Sequence, residues 1–260
     1  MIRVLALIAF IGFIVSAACF AGAAAIGGRD IVEHGWSFPA DWRVDIDDDD
    51  HDGDHGADRD RDWDDGADGS GPSATREIPW NGATSLDLDV PADVRFTQGP
   101  GPAKLVITGP KGSVDHVVLE DGRLSFDEPM HRTSRLTIVM TAPNVSRFVL
   151  NGDDRLTVSG FKQDRLAIDI SGSAEAVAQG EAKDFDVQIS GSGEADLSKL
   201  AADAGKVDIA GSGRASIAPR TTADVAISGS GEVTLLTRPQ NLHSNVTGSG
   251  RLVQGAAPTT

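Results

Sequence analysis

The chain has no tyrosine, a single cysteine (Cys19), and only 5% aromatic residues. One cysteine excludes an internal disulfide and any Cys-x-x-Cys metal or redox motif. With so few aromatics, the core must be filled by small and aliphatic side chains, which suits a thin stacked core better than a wide globular one. Basic charge is scarce too: Lys and Arg number 23 against 39 Asp and Glu, a net of −16. That excludes the basic footprint nucleic-acid binding requires. H-E-x-x-H, G-x-S-x-G and the P-loop are all absent, so none of these catalytic signatures is available. Of the six histidines, His51 and His55 sit in an Asp-rich segment. Among His116, His131 and His243, no two fall at a spacing suited to a metal.

What is present is a repeat. Ile170-Ser171-Gly172-Ser173, Ile189-Ser190-Gly191-Ser192-Gly193, Ile209-Ala210-Gly211-Ser212-Gly213, Ile227-Ser228-Gly229-Ser230-Gly231 and Val246-Thr247-Gly248-Ser249-Gly250 follow one another, with a weaker copy at Leu150-Asn151-Gly152-Asp153. The corner glycines Gly152, Gly172, Gly191, Gly211, Gly229 and Gly248 are 20, 19, 20, 18 and 19 residues apart. Strand periodicity on both sides of a corner at this spacing predicts a stacked solenoid. An antiparallel sandwich also has short alternating strands, but its hairpins have no reason to repeat one corner at fixed spacing.

Parity assigns the faces. Phe185, Val187, Ile189, Gly191, Gly193, Ala195 and Leu197 are all odd-numbered, and Val207 to Ile217 and Val225 to Leu235 repeat the pattern. Alternation puts these side chains on one inward face, with the glycines at a corner too tight for a side chain. Asp154 stands where the later copies have glycine or alanine, which predicts a corner open to solvent there. On the outer face, Arg155, Glu175, Glu194, Arg214, Glu232 and Arg251 occupy equivalent positions. In-register stacking would set them about 4.8 Å apart, mostly with opposite neighbours. Beside them Asp153, Ser173, Ser192, Ser212, Ser230 and Ser249 form a polar column. The candidate binding face is therefore Glu194, Arg214, Glu232 and Arg251 with Ser192, Ser212, Ser230 and Ser249.

The chain divides into parts. Residues 1–28 carry Arg3 and then an uncharged apolar run through Gly28, read as a signal peptide or a transmembrane anchor. Arg3 on the cytoplasmic side would send the remainder outward. Residues 29–76 are an Asp-rich linker: 13 of the 24 residues from Asp45 to Asp68 are aspartate, and such self-repulsion predicts disorder. Asp48-Asp49-Asp50-His51-Asp52-Gly53 begins like a calcium loop, but Arg59 takes the twelfth position, where an acid is needed. This supports weak divalent-cation binding and no specific cofactor. Residues 77–255 form the solenoid, about nine coils at 19 residues each, and residues 256–260 a frayed tail. The fold class is all-β, with an N-terminal hydrophobic helix ahead of the linker.

Leu105-Val106-Ile107-Thr108-Gly109, Val117-Val118-Leu119-Glu120-Asp121-Gly122-Arg123-Leu124-Ser125-Phe126 and Thr141-Ala142-Pro143-Asn144-Val145, followed by the Ser-Gly-Ser-Gly coils, resemble the auto-transporter adhesin head (GIN domain) family of bacterial envelope proteins. The resemblance covers about residues 78–255 and implies a right-handed parallel β-helix. It carries no catalytic residue.

The expected function is a non-enzymatic, adhesin-like protein, exported to the periplasm or the outer face of the envelope and binding a polymer or an envelope protein through a flat side. The alternatives are a structural spacer or envelope-stress accessory, and a polysaccharide lyase or hydrolase using stacked carboxylates such as Asp186 with Asp208 or Glu175 with Glu194. The unpaired edge of the final coil, Val246 to Val253, also suits end-to-end self-association, so a homo-oligomer joins the expected partners. The membrane is a further partner if residues 1–28 are retained, and nucleic acid is not one.

Overall fold

A computed structural model of the protein describes residues 72–130 and 134–255. The hydrophobic segment 1–28, nearly all of the linker and the tail 256–260 lie outside the described residues. Among the described residues no helix is long and apolar enough to cross a membrane.

From Arg147 onward the chain builds the expected coils. Six strands stack in parallel in one sheet: β8 (Arg147–Gly152), β10 (Arg165–Gly172), β12 (Asp184–Gly191), the second half of β13 (Glu194–Gly211), β15 (Pro219–Gly229) and β17 (Asn241–Gly248). The chain turns after each corner glycine into a second parallel sheet. This holds β9 (Arg155–Lys162), β11 (Glu175–Glu181), the first half of β13, β14 (Arg214–Ile217), β16 (Glu232–Leu235) and β18 (Arg251–Gln254). All six corner glycines lie in register, and the corner advances five times. The inward residues of both sheets, among them Ile168, Val187, Leu197, Val207 and Leu235, form one buried core.

The corners differ from the expectation in one respect. The first glycine of each does not face inward. Gly211 has φ +128°, and a Cβ there would lie 2.4 Å from the carbonyl oxygen of Gly191 in the coil beneath. The constraint therefore runs along the rod axis. The second glycine does face the core: a Cβ at Gly213 would meet Ile189 Cγ2 at 2.6 Å.

The corner at Asp154 is closed rather than open to solvent. Asp154 is only 2% exposed, and its Oδ1 accepts the Ala92 N–H at 3.0 Å. Desolvation is the main reason its pKa rises from 3.8 to about 6; the Ala92 hydrogen bond works in the opposite direction. A folded-state pKa above the unfolded value makes the protonated form the stabilising one. This contribution is complete below about pH 4 and is lost as pH rises through 6. Asp154→Asn should remove that loss and stabilise the protein at pH 7 by about 1–2 kcal/mol, allowing for residual solvation. Thermal melts of both proteins from pH 4.5 to 7.5 would check this: parallel curves would rule out a buried ionising carboxyl.

The N-terminal half winds out of order. β2 (Ser85–Leu88) and β3 (Ala92–Gln98) make the first coil. The chain then doubles back through β4 (Lys104–Pro110), the short helix α1 (Lys111–Asp115) and the hairpin β5 (Val117–Glu120)–β6 (Arg123–Phe126), and returns in β7 (Leu136–Ala142). β6 and β7 stack on one side of β2 and β3, whereas β8 and β9 stack on the other. The first coil in sequence is thus second in space. The parallel stack is eight strands deep in each sheet, where sequence length suggested about nine coils in order. β1 (Ser73–Pro79), starting before the boundary expected at 77, pairs antiparallel with β4, and β4 pairs antiparallel with β7. β5 pairs antiparallel with β6. Antiparallel strands thus close this end. At the other end Val246 and Val253 are 40% and 38% exposed.

Candidate functional site

The strand that follows each corner begins with a charged outward residue, and the stacking brings these together. Arg155 is in register with Glu175, Glu175 with Glu194, Glu194 with Arg214, Arg214 with Glu232, and Glu232 with Arg251. Asp93 of β3 extends the column below Arg155. The sequence order of the column was legible because repeat length sets the register. Asp93 could not be reached that way, because its coil is stacked out of order.

The pairing within the column is uneven. Arg155 binds Glu175 at 3.0 Å and Asp93 at 3.6 Å. Arg251 reaches Glu232 through Nε and a terminal nitrogen at 2.5 Å. Glu194 and Arg214, neighbours in register, form no ion pair among the described residues. Exposed pairs of this kind contribute about 0–1 kcal/mol each, so the column sets register and surface chemistry more than stability.

The serine column runs beside it. Backbone N–H groups of Ser192, Ser212, Ser230 and Ser249 donate to carbonyl oxygens of Gly172, Gly191, Gly211 and Gly229, each at 2.8 Å. Their side chains are exposed and have no hydrogen-bond partner among the described residues. The hydroxyls therefore do not bond to one another in a chain; the backbone carries the stacking and leaves them facing solvent. At the C-terminal end the two columns enclose a cleft of about 120 Å³ lined by Ser212, Arg214, Ser230, Glu232, Ser249 and Arg251. Six of the eight expected face residues line it; Ser192 and Glu194 lie one coil below.

The expected carboxylate pairs are only half realised. Glu175 and Glu194 are in register, but Arg155 holds Glu175. Asp186 stacks on Lys206, not on Asp208. Arg165 binds Asp186 at 3.2 Å, and Lys206 binds Asp208 at 2.5 Å. Asp169, with its pKa raised by burial, is held by Arg147 at 2.8 Å. Glu175, Asp186, Asp208 and Asp169 are thus engaged by cations, whereas Glu194 forms no ion pair among the described residues. Among the described residues no cluster of His, Cys, Asp or Glu is placed to hold a metal.

Sequence reasoning missed one surface. A recess of about 320 Å³ crosses the outer face of β12, β13, β15 and β17, with Ala210 and Ala226 among Gln188, Asp208, Asn245 and Thr247. The only signal in the sequence was the run of small outward residues opposite the core positions.

A family model described as "Putative auto-transporter adhesin, head GIN domain" matches residues 84–239. Among solved structures, a putative adhesin from Bacteroides fragilis is 19% identical, with a TM-score of 0.59, covering 72% of this chain and 99% of its own. A putative adhesin from Parabacteroides distasonis is 15% identical, with a TM-score of 0.50, covering 74% of this chain and 100% of its own. At these identities the likeness is one of fold. No curated protein matches the chain.

Proposed function

The chain belongs to the putative auto-transporter adhesin head GIN domain family, and on that premise we propose that it is a non-enzymatic envelope protein that holds a surface polymer or an envelope partner against the flank of its solenoid. The binding face is Glu194, Arg214, Glu232 and Arg251 with Ser192, Ser212, Ser230 and Ser249. The observation that carries this is the register: charged groups and solvent-facing serine hydroxyls recur side by side at the strand spacing, about 4.8 Å, and end in a cleft. A repeating array of hydrogen-bonding groups matches a repeating ligand, and rigid coils keep it pre-organised. The apolar segment 1–28 and the acidic linker would place this face outside the inner membrane, in the periplasm or on the cell surface.

Capture of the full chain on immobilised bacterial and host polysaccharides tests the reading. Saturable capture by one class is expected. Joint alanine substitution at Glu194, Arg214, Glu232 and Arg251 should lower it at least tenfold and shift the melting temperature by no more than a few degrees, since exposed substitutions cost about 0.5 kcal/mol or less each. A spacer would tolerate those substitutions and lose function when the linker is shortened. Release of soluble oligosaccharide would mark an enzyme and overturn the proposal.

A further inference from the structure

We propose that the cleft between Arg214 and Arg251 is an anion subsite that takes a uronate carboxylate of an acidic polysaccharide. This rests on the polymer-binding reading above and names its ligand class. Three features of the cleft point the same way.

The first is an uncommitted cation. Arg155, lower on the ladder, is held between Asp93 and Glu175. Arg214 lies in register between Glu194 and Glu232, yet forms no ion pair among the described residues. Glu232 is instead turned toward Arg251, at 2.5 Å. The cleft lining therefore holds two guanidinium groups and one carboxylate, with Glu194 in register one coil below Arg214 balancing the column as a whole. What sets the cleft apart is a guanidinium that no carboxylate holds among the described residues.

The second is donor chemistry. A guanidinium is a planar fork that matches a carboxylate with two parallel hydrogen bonds. Around it stand the hydroxyls of Ser212, Ser230 and Ser249, which accept as well as donate and have no side-chain partner among the described residues. That combination suits an acidic sugar, whose carboxylate and ring hydroxyls need both kinds of group. A simple polyanion site would call for cations alone.

The third is size and repeat. A volume of about 120 Å³ accommodates a carboxyl group, and the rest of the chain would lie along the flank. Serine rows about 4.8 Å apart are close to the length of one pyranose unit.

Glu232 is then a built-in competitor. It occupies Arg251, and its loss should strengthen the anion site, the reverse of what a purely stabilising ion pair predicts. The test is equilibrium binding of the full chain to polygalacturonate and to its fully methyl-esterified, neutral form. The acid form should bind at least about tenfold tighter, the difference a charge-assisted pair supports. Arg214→Gln should erase the preference, and Glu232→Gln should raise affinity for the acid form several-fold. Both positions are surface ladder residues, so unchanged melting curves would confirm that the variants fold. Equal binding of the two forms, or an Arg214→Gln protein that keeps the preference, would overturn the anion subsite and leave polymer binding standing. If neither form is retained while a neutral polysaccharide is, the ligand class is wrong. If no polysaccharide is captured at all, the polymer-binding reading falls with it and only an envelope partner remains for this face.

Discussion

Gly211→Val is expected to destabilise the solenoid by at least about 3 kcal/mol, enough to abolish a single cooperative melt. Two penalties coincide at this position. A β-branched residue at φ +128° is strained whatever the space around it. Its Cβ would also lie 2.4 Å from the Gly191 carbonyl oxygen and 3.2 Å from the Gly191 carbonyl carbon, and backbone cannot rotate away as a side chain could. The hydrogen bonds from Ser212 N–H to Gly191 and from Ser230 N–H to Gly211, both 2.8 Å, hold the corner to the coils on either side. Forcing those coils apart in mid-stack breaks neighbour contacts in both directions, and in a repeat protein such contacts carry much of the stability. Gly152→Ala is the control. Its φ of +145° carries a strain penalty, but a Cβ there meets nothing within 4 Å, so about 1–2 kcal/mol is expected. Urea titrations followed by circular dichroism would separate the two. Equal midpoints for Gly211→Val and the parent would mean the corner glycines are not stacked as described.

Phe148→Ala should cost about 3–5 kcal/mol, as full truncation of a buried phenylalanine does. Phe148 and Phe96 are fully buried, and their rings meet edge to face at 5.1 Å and 66°. Such a pair adds about 0.5–1.5 kcal/mol beyond area burial. Position matters as much as size. Phe148 stands in register with Leu86 below and Ile168 above, at the junction where the ordered coils rest on the out-of-order first coil. A cavity there should loosen the N-terminal layers, β1 to β7, ahead of the coils from β10 onward. Hydrogen exchange should show early loss of protection in the first group. A uniform loss across the rod would contradict the idea that this junction is a separable seam.

Much of this was legible because the information is local. Alternation has a period of two residues, so the buried set Phe185, Val187, Ile189, Ala195 and Leu197 could be read without knowing any neighbour. The outer charge column was readable as well, because near-constant repeat length converts sequence spacing into register. The expected pairing of Asp186 with Asp208 does not form, because the 20-residue step from Gly191 to Gly211 puts Lys206 beside Asp186 instead. Asp154 departs from its expected exposure for a different reason. A charged residue at a core position suggests exposure, yet the Ala92 N–H supplied by another coil offsets part of its desolvation.

The sequence by itself determined the strands, the corners, the inward face and the order of charges along the ordered coils. Each follows from side-chain alternation, glycine chemistry or repeat length, which act within one coil or between successive copies. Only the tertiary structure decided that the first coil lies between the second and third, that antiparallel strands close that end, that Asp154 is buried, and that Glu232 takes Arg251 and leaves Arg214 without an ion pair among the described residues. Those outcomes depend on which surfaces meet across long stretches of chain. Several partners of similar local pattern compete for the same edge or the same charge, and packing in three dimensions selects among them.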